Sequence, residues 1–152
     1  MSKRLLLVGV ALLSTLVCRA QTKGVEGEWH GIWTNPAGAV FTAQMTLETG
    51  TGCKTCAAMG DGAILGRIVW TLRKRPGDAT GAAGATCTEL VKGEMKGEGL
   101  LVLHGYSMEE AACGRAVDEY RLAVSDNGKV LGGITLNGGS WTGQLIAVRA
   151  ER

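Results

Sequence analysis

The cysteines carry the most explicit chemical spacing in this chain. Cys53-Lys54-Thr55-Cys56 has the C-x-x-C spacing of a redox pair or of half a zinc site, and Cys87 and Cys113 could complete a four-thiolate set. A thioredoxin-type pair needs a strand-to-helix junction to lower a thiolate pKa, and here the motif sits in a glycine-rich loop between strands. The spacing to Cys87 and Cys113 does not suit a compact zinc knuckle. An exported disulfide framework fits all four better. His30 alternates away from Trp29 and Trp33, and His104 away from Leu101 and Leu103, so both read as outward, solvated side chains. Neither G-x-S-x-G nor H-E-x-x-H occurs. Glu109-Glu110 and Asp118-Glu119 are adjacent carboxylates, and neighbours in an extended segment diverge, so these read as solvated charges and not as an acid/base pair. No catalytic residue, metal site or cofactor is assigned. A second constellation is aromatic: Trp29, Trp33, Phe41, Trp70, Tyr120 and Trp141 all fall on one predicted face, where they could line an apolar pocket or simply fill a core.

The elements that must position these residues are strands. The chain has 24 glycines against 2 prolines, and short alternating stretches are separated by glycine-rich turns. Eight strands are expected, at about 27–35, 39–48, 63–74, 88–96, 100–106, 118–125, 130–136 and 140–149. The second is the clearest: Phe41, Ala43, Met45 and Leu47 share one face, and Thr42, Gln44, Thr46 and Glu48 share the other. Asp126-Asn127-Gly128 is a hairpin signal. The run Pro76 to Thr86 is a low-complexity loop and not a domain boundary. Gly31, Gly66, Gly93, Gly105, Gly132 and Gly143 recur in mid-strand, which suits sharply coiled strands or a closed sheet crowded by indoles. The expected fold is all-β, a small up-and-down antiparallel barrel of about eight strands, with a β-sandwich as the alternative.

That meander chooses a cysteine pairing. Loops alternate between the two ends, so the Cys53/Cys56 loop lies at one end and Cys87 and Cys113, both expected in loops, at the other. A strand separates the ends by roughly 17–20 Å, and bridged Cα atoms lie within about 7 Å. The predicted bridges are Cys87–Cys113 and Cys53–Cys56.

Residues 1–20 have the layout of a secretory leader: Lys3 and Arg4, an apolar run from Leu5 to Leu13, and a small-residue cleavage site at Ala20. A lipid-bearing Cys18 is the alternative, opposed by Val17 where that signal prefers a small residue. The domain organisation is therefore a leader, 1–20, and a single barrel, 21–152. Of 16 basic and 14 acidic side chains, Lys3, Arg4 and Arg19 belong to the leader, so the remainder holds 13 and 14, a net of −1. That balance gives no electrostatic case for nucleic acid. The apolar run is too short to be a transmembrane segment. The expected location is periplasmic or extracellular.

Gly31-Ile32-Trp33-Thr34-Asn35-Pro36-Ala37-Gly38 resembles the first strand of avidin-type barrels, G-x-W-x-N-x-x-G, and the early G-x-W is shared with lipocalins. The resemblance implies a ligand contact from Asn35. The family's following serine is Ala39 here, and Gly66-Arg67-Ile68 stands where the family tends to have a ligand-contacting tyrosine. The stretch from Gly105 through Asp118-Glu119-Tyr120-Arg121-Leu122 to Gly133 is similar to uncharacterised bacterial secreted β-rich, calycin-like domains with a G-Y…D-x-Y-x-L-x-L-S-x-D-G-x-x-L-x-G pattern. It implies architecture and a bacterial source.

These readings converge on an exported, non-enzymatic binding or interaction module. Its partner would be a small apolar ligand held by Trp29, Trp33, Asn35, Phe41, Trp70, Tyr120 and Trp141, or an envelope protein. The alternatives are a structural envelope protein with a filled core and a periplasmic hydrolase, which would need His30 to converge with a carboxylate in a concave site.

Overall fold

A computed structural model of the protein describes residues 24–49, 62–77, 82–97 and 99–151. Eight antiparallel strands form a closed barrel in strict sequence order: β1 Gly27–Thr34, β2 Val40–Thr49, β3 Ala63–Lys74, β4 Thr86–Lys96, β5 Leu100–Glu109, β6 Glu119–Val124, β7 Val130–Asn137 and β8 Ser140–Arg149. β1 pairs with β2 on one side and β8 on the other, for example Ile32 with Thr42 and with Ile146. That closing ladder excludes a sandwich and leaves no free edge among these strands.

Alternation explains the core. Phe41, Ala43, Met45 and Leu47 of β2 are buried, and so are Ile64, Ile68, Trp70 and Leu72 of β3. Burying each large aliphatic side chain contributes about 1.5–3 kcal/mol. Gly128, in the left-handed region at φ 67°, completes the β6–β7 turn with its N–H on the Ser125 carbonyl at 2.9 Å.

The strand ends depart from the sequence reading where the ladder outlasts the pattern. β4 starts at Thr86 because Trp70 pairs with Cys87 and Thr71 with Thr86. Cys87 is therefore a buried strand residue and not a loop residue. β5 runs on to Glu109 through a bulge at Tyr106, the residue left over where Val91 pairs with Gly105 and Leu90 with Ser107.

Cys87 bonds to Cys113, which closes a short 3₁₀ turn, Ala111–Cys113, with Cα atoms 5.4 Å apart. The bridge ties the β5–β6 connection to the barrel wall, and Arg75 adds a hydrogen bond to the Cys113 carbonyl at 2.7 Å. Residues 1–23, which include the expected leader and Cys18, lie outside the described residues, as do Cys53 and Cys56. The bridge spans 26 residues, so a Cys87→Ser/Cys113→Ser variant is expected to lose about 3 kcal/mol. Urea unfolding followed by fluorescence checks this, and a loss under about 1 kcal/mol would show that the connection holds itself in place.

Candidate functional site

The polar chemistry of this molecule lies inside the barrel, at the end that carries the disulfide. Alternation in β4 aims Cys87, Glu89 and Val91 inward, and all three are buried. A buried carboxylate must be supplied with donors, and three arrive from three places. Glu89 Oε2 accepts from Trp70 Nε1 at 3.0 Å and from Tyr120 OH at 2.5 Å, and Oε1 accepts from the Asp118 N–H at 2.7 Å. Gly105 makes the space, since a Cβ there would run into Glu89 Oε1.

Arg115 closes this end. Its guanidinium lies over three rings, with Cζ 4.1 Å from the centroid of Trp70, 4.4 Å from Trp33 and 4.8 Å from Phe41. Nη2 donates to Asp118 Oδ2, while Nε and Nη1 are buried with ring faces in place of acceptors. The rings also pack on one another edge to face, Trp33 on Phe41 at 5.6 Å and Phe41 on Trp70 at 6.4 Å. Trp33 Nε1 donates to Thr135 Oγ1 at 2.8 Å, in space left by Gly143, where a Cβ would meet the indole nitrogen at 2.7 Å.

The opposite end repeats the device. Arg149 Cζ stands 4.3 Å from the Trp29 ring, and its guanidinium donates to the carbonyls of Gly24, Glu26 and Gly128. Trp29 Nε1 donates to the Val25 carbonyl at 3.0 Å. A concavity of about 920 Å³ lies outside this stopper, lined by Glu26, Glu28, Glu48, Glu151 and Arg149 among others.

Five of the seven residues expected in the interior are there: Trp29, Trp33, Phe41, Trp70 and Tyr120 are all buried. Asn35 is not. It sits in the β1–β2 turn and its Oδ1 accepts from the Ala39 N–H at 3.0 Å, so it shapes the turn instead of facing the core. Trp141 is not either. The register slips between Thr135–Gly143 and Asn137–Ser140, which places Trp141 and Thr142 opposite a single β7 residue. This bulge frees Trp141 from strict alternation, and its half-exposed ring packs under Arg121 at 4.4 Å. Asp118 corrects the sequence reading the other way: it is buried, whereas Glu119 is half-exposed and lies 3.8 Å from His104. His30 is exposed. Sequence reasoning missed Glu89 and Arg115. A glutamate at an inward position between Cys87 and Val91 was the available signal for the first. Nothing in the pattern marks Arg115, because it lies in an irregular connection. Among the described residues no group of three or more His, Cys, Asp or Glu side chains is placed to hold a metal.

The outside of the barrel is divided by charge. Outward residues of β3 and β4 include Arg67, Arg73, Lys92, Glu94 and Lys96, all exposed. The middle rows of β1, β8 and β7 carry none, with Glu28 and Arg121 at their border. The pairings set side by side His30, Val148 and Val130, then Ile32, Ile146 and Gly132, then Thr34, Gln144 and Ile134. Ile146 is 63% exposed, Ile32 55% and Val148 52%. A groove of about 540 Å³ runs along this face between β1 and β8.

Burial pushes the Glu89 carboxyl above its ordinary value, and the nearby Asp118 charge adds to this against the three hydrogen bonds. Burial also holds the Tyr120 phenol well above the ordinary tyrosine value, with the Glu89 charge adding to it. Both folded values are raised, so each group's contribution is present below its unfolded pKa and is lost as pH rises through the folded value. Unfolding free energy should fall as pH rises from the ordinary carboxylate range, and a Glu89→Gln variant should flatten that slope in a urea series from pH 4 to 8. In a Tyr106→Phe background Tyr120 is the only tyrosine. Its tyrosinate absorbance should then appear together with alkaline unfolding, and ionisation of a fully folded protein near pH 10 would contradict this packing.

No family model matches the chain, and no curated protein matches it in sequence. Its fold is found in two solved structures of redesigned β-barrels, mFAP0 and mFAP1, each bound to DFHBI. The first is 14% identical with a TM-score of 0.56, covering 82% of this chain and 98% of its own. The second is 12% identical with a TM-score of 0.55, covering 83% and 94%. At these identities the likeness shows a common small-barrel fold and nothing more specific.

Proposed function

We propose that this chain is an exported, non-enzymatic binding module that recognises its partner through the uncharged outer face of β1, β8 and β7. The observation that carries this reading is the contiguous exposure of Ile32, Ile146, Val148, Val130 and Ile134, on three neighbouring strands and without an Asp, Glu, Lys or Arg among them. Exposed apolar patches of this kind mark interaction sites more often than free surface. The groove along it is of small-molecule size, so a small apolar ligand or an apolar surface of an envelope protein would both fit. Export is supported by the leader-like residues 1–20 and by the Cys87–Cys113 bridge, which suits an oxidising compartment. The absence of an enzymatic role is supported by Glu89, Tyr120, Arg115 and Asp118 being sealed from solvent, out of a substrate's reach.

A ligand inside the barrel is the second reading, and one observation favours it. Burying a guanidinium costs far more than burying a methionine of similar length, so Arg115 over Trp33, Phe41 and Trp70 has the look of a stopper in a site that a small planar ligand could fill. The redesigned barrels of this fold hold DFHBI. An anilinonaphthalene sulfonate titration at low micromolar protein separates the two. The outer-face reading expects dye binding that Ile146→Asp weakens at least tenfold with an unchanged melting temperature, and that Arg115→Ala leaves alone. Binding indifferent to Ile146→Asp but created by Arg115→Ala would overturn it in favour of the interior.

A further inference from the structure

We propose that the three-ring box under Arg115 is a binding site for a small organic cation of the quaternary ammonium class, kept closed in the free protein by Arg115 as a built-in stand-in. The inference takes its place from the interior reading above and goes beyond it in naming the ligand's charge and chemistry. Geometry supplies the first argument. Trp33 meets Phe41 at 73° and Phe41 meets Trp70 at 82°, so the rings stand as walls and not as a stack. The guanidinium carbon lies 4.4 Å, 4.8 Å and 4.1 Å from their centroids, inside the roughly 6 Å over which a ring face attracts a cation. The walls are held from behind. Trp70 Nε1 donates to Glu89 and Trp33 Nε1 to Thr135, so both indoles direct their N–H elsewhere and offer the box their faces.

The present occupant fits this box poorly. A guanidinium is all donors, and here Nε and Nη1 are buried without an acceptor. A quaternary ammonium has the positive charge and no N–H, so the same faces stabilise it with no donor left unmet. The exchange also returns the Arg115 donors to water. Its route out is short. Cys113 is fixed by the bridge to Cys87, and Asp118 is fixed by its N–H on Glu89 and by its carbonyl, which accepts from the Gly105 N–H. Between these anchors Gly114, Arg115, Ala116 and Val117 belong to no helix or strand, and Val117 is exposed. Arg115 can therefore turn outward without breaking a ladder bond, and Asp118 stays behind as the counter-charge for the ligand.

Saturation-transfer NMR on the wild-type chain, with choline as the probe and chloride held constant, tests this. Saturable binding with a dissociation constant on the order of millimolar is expected, because the ligand must displace Arg115. 3,3-Dimethyl-1-butanol has the shape of choline without the charge and should bind at least tenfold more weakly. Phe41→Leu keeps an apolar wall but removes its ring face, and should weaken choline about fivefold. Arg115→Ala should tighten choline at least tenfold, and where that variant does not fold, Phe41→Leu decides alone. A wild type silent to choline at about 100 mM overturns the proposal whatever Arg115→Ala does, since a box opened only by mutation is a filled core. Equal binding of choline and the alcohol also overturns it. The two failures differ: silence to both probes removes the interior reading as well, whereas equal binding of both keeps that reading and removes only the cation. Choline binding that Ile146→Asp abolishes places the probe on the outer face and counts against the box.

Discussion

A carboxylate enclosed by a closed sheet sets the terms for one half of this molecule. Water cannot reach Glu89, so its carboxyl oxygens must be supplied with donors by the protein. Three donors do this, and each fixes an element. Trp70 holds the ring that forms the bed of the aromatic cluster, Tyr120 pins β6 to β4, and the Asp118 N–H anchors the end of the β5–β6 connection. That connection is held at its other end by the bridge from Cys113 to Cys87, two residues before Glu89 on the same strand. Arg115 lies between these anchors, which leaves its guanidinium little choice but the ring faces below it. The barrel's stopper follows from a single inward glutamate and the space Gly105 leaves for it.

Much of the architecture was legible in the sequence because it depends on local rules. Alternation in β2, glycine at the turns and the order of short strands are properties of neighbouring residues, and they yield the meander and the pairing of Cys87 with Cys113 at one end of it. What was hidden depends on contacts distant in sequence. A bulge is set by the partner strand, so β8 carried no mark that Trp141 would leave the inner face. Cys87 looked like a loop residue because a run of glycine and alanine precedes it, yet the β3 ladder reaches past it. The adjacent acids Asp118 and Glu119 were read as equals, and contacts distant in the fold, with the Arg115 guanidinium, the Glu89 carboxylate and the Gly105 N–H among them, make Asp118 a core residue. The mid-strand glycines were noticed as a set, but their meaning differs: Gly105 and Gly143 clear room for a carboxylate and an indole, whereas Gly132 opens outward.

Interior volume then bears on function. Eight strands enclose space just wide enough for side chains. Here Trp29, Trp33, Phe41, Trp70 and Tyr120 lie within it, and an arginine stacked on tryptophan closes each end. In such a vessel the same side chains cannot both hold the fold together and greet a ligand without rearrangement. Recognition by a rigid outer face avoids that conflict. The middle rows of β1, β8 and β7 are free of Asp, Glu, Lys and Arg, whereas β3 and β4 carry Arg67, Arg73, Lys92, Glu94 and Lys96 outward.

A face displayed on a closed barrel has a property that loops lack. Its side chains are spaced by hydrogen-bonded register, so Ile146 and Gly132 are neighbours because β7 and β8 pair that way, and slipping the pair by one residue would turn Leu131 and Leu145 out to solvent. Outward side chains are thus spaced by the same pattern that buries the core. The inward glutamate and the outward glycine act on one scaffold in opposite senses. The first uses enclosure to fix the interior, and the second leaves open space on the outer wall beside Ile146.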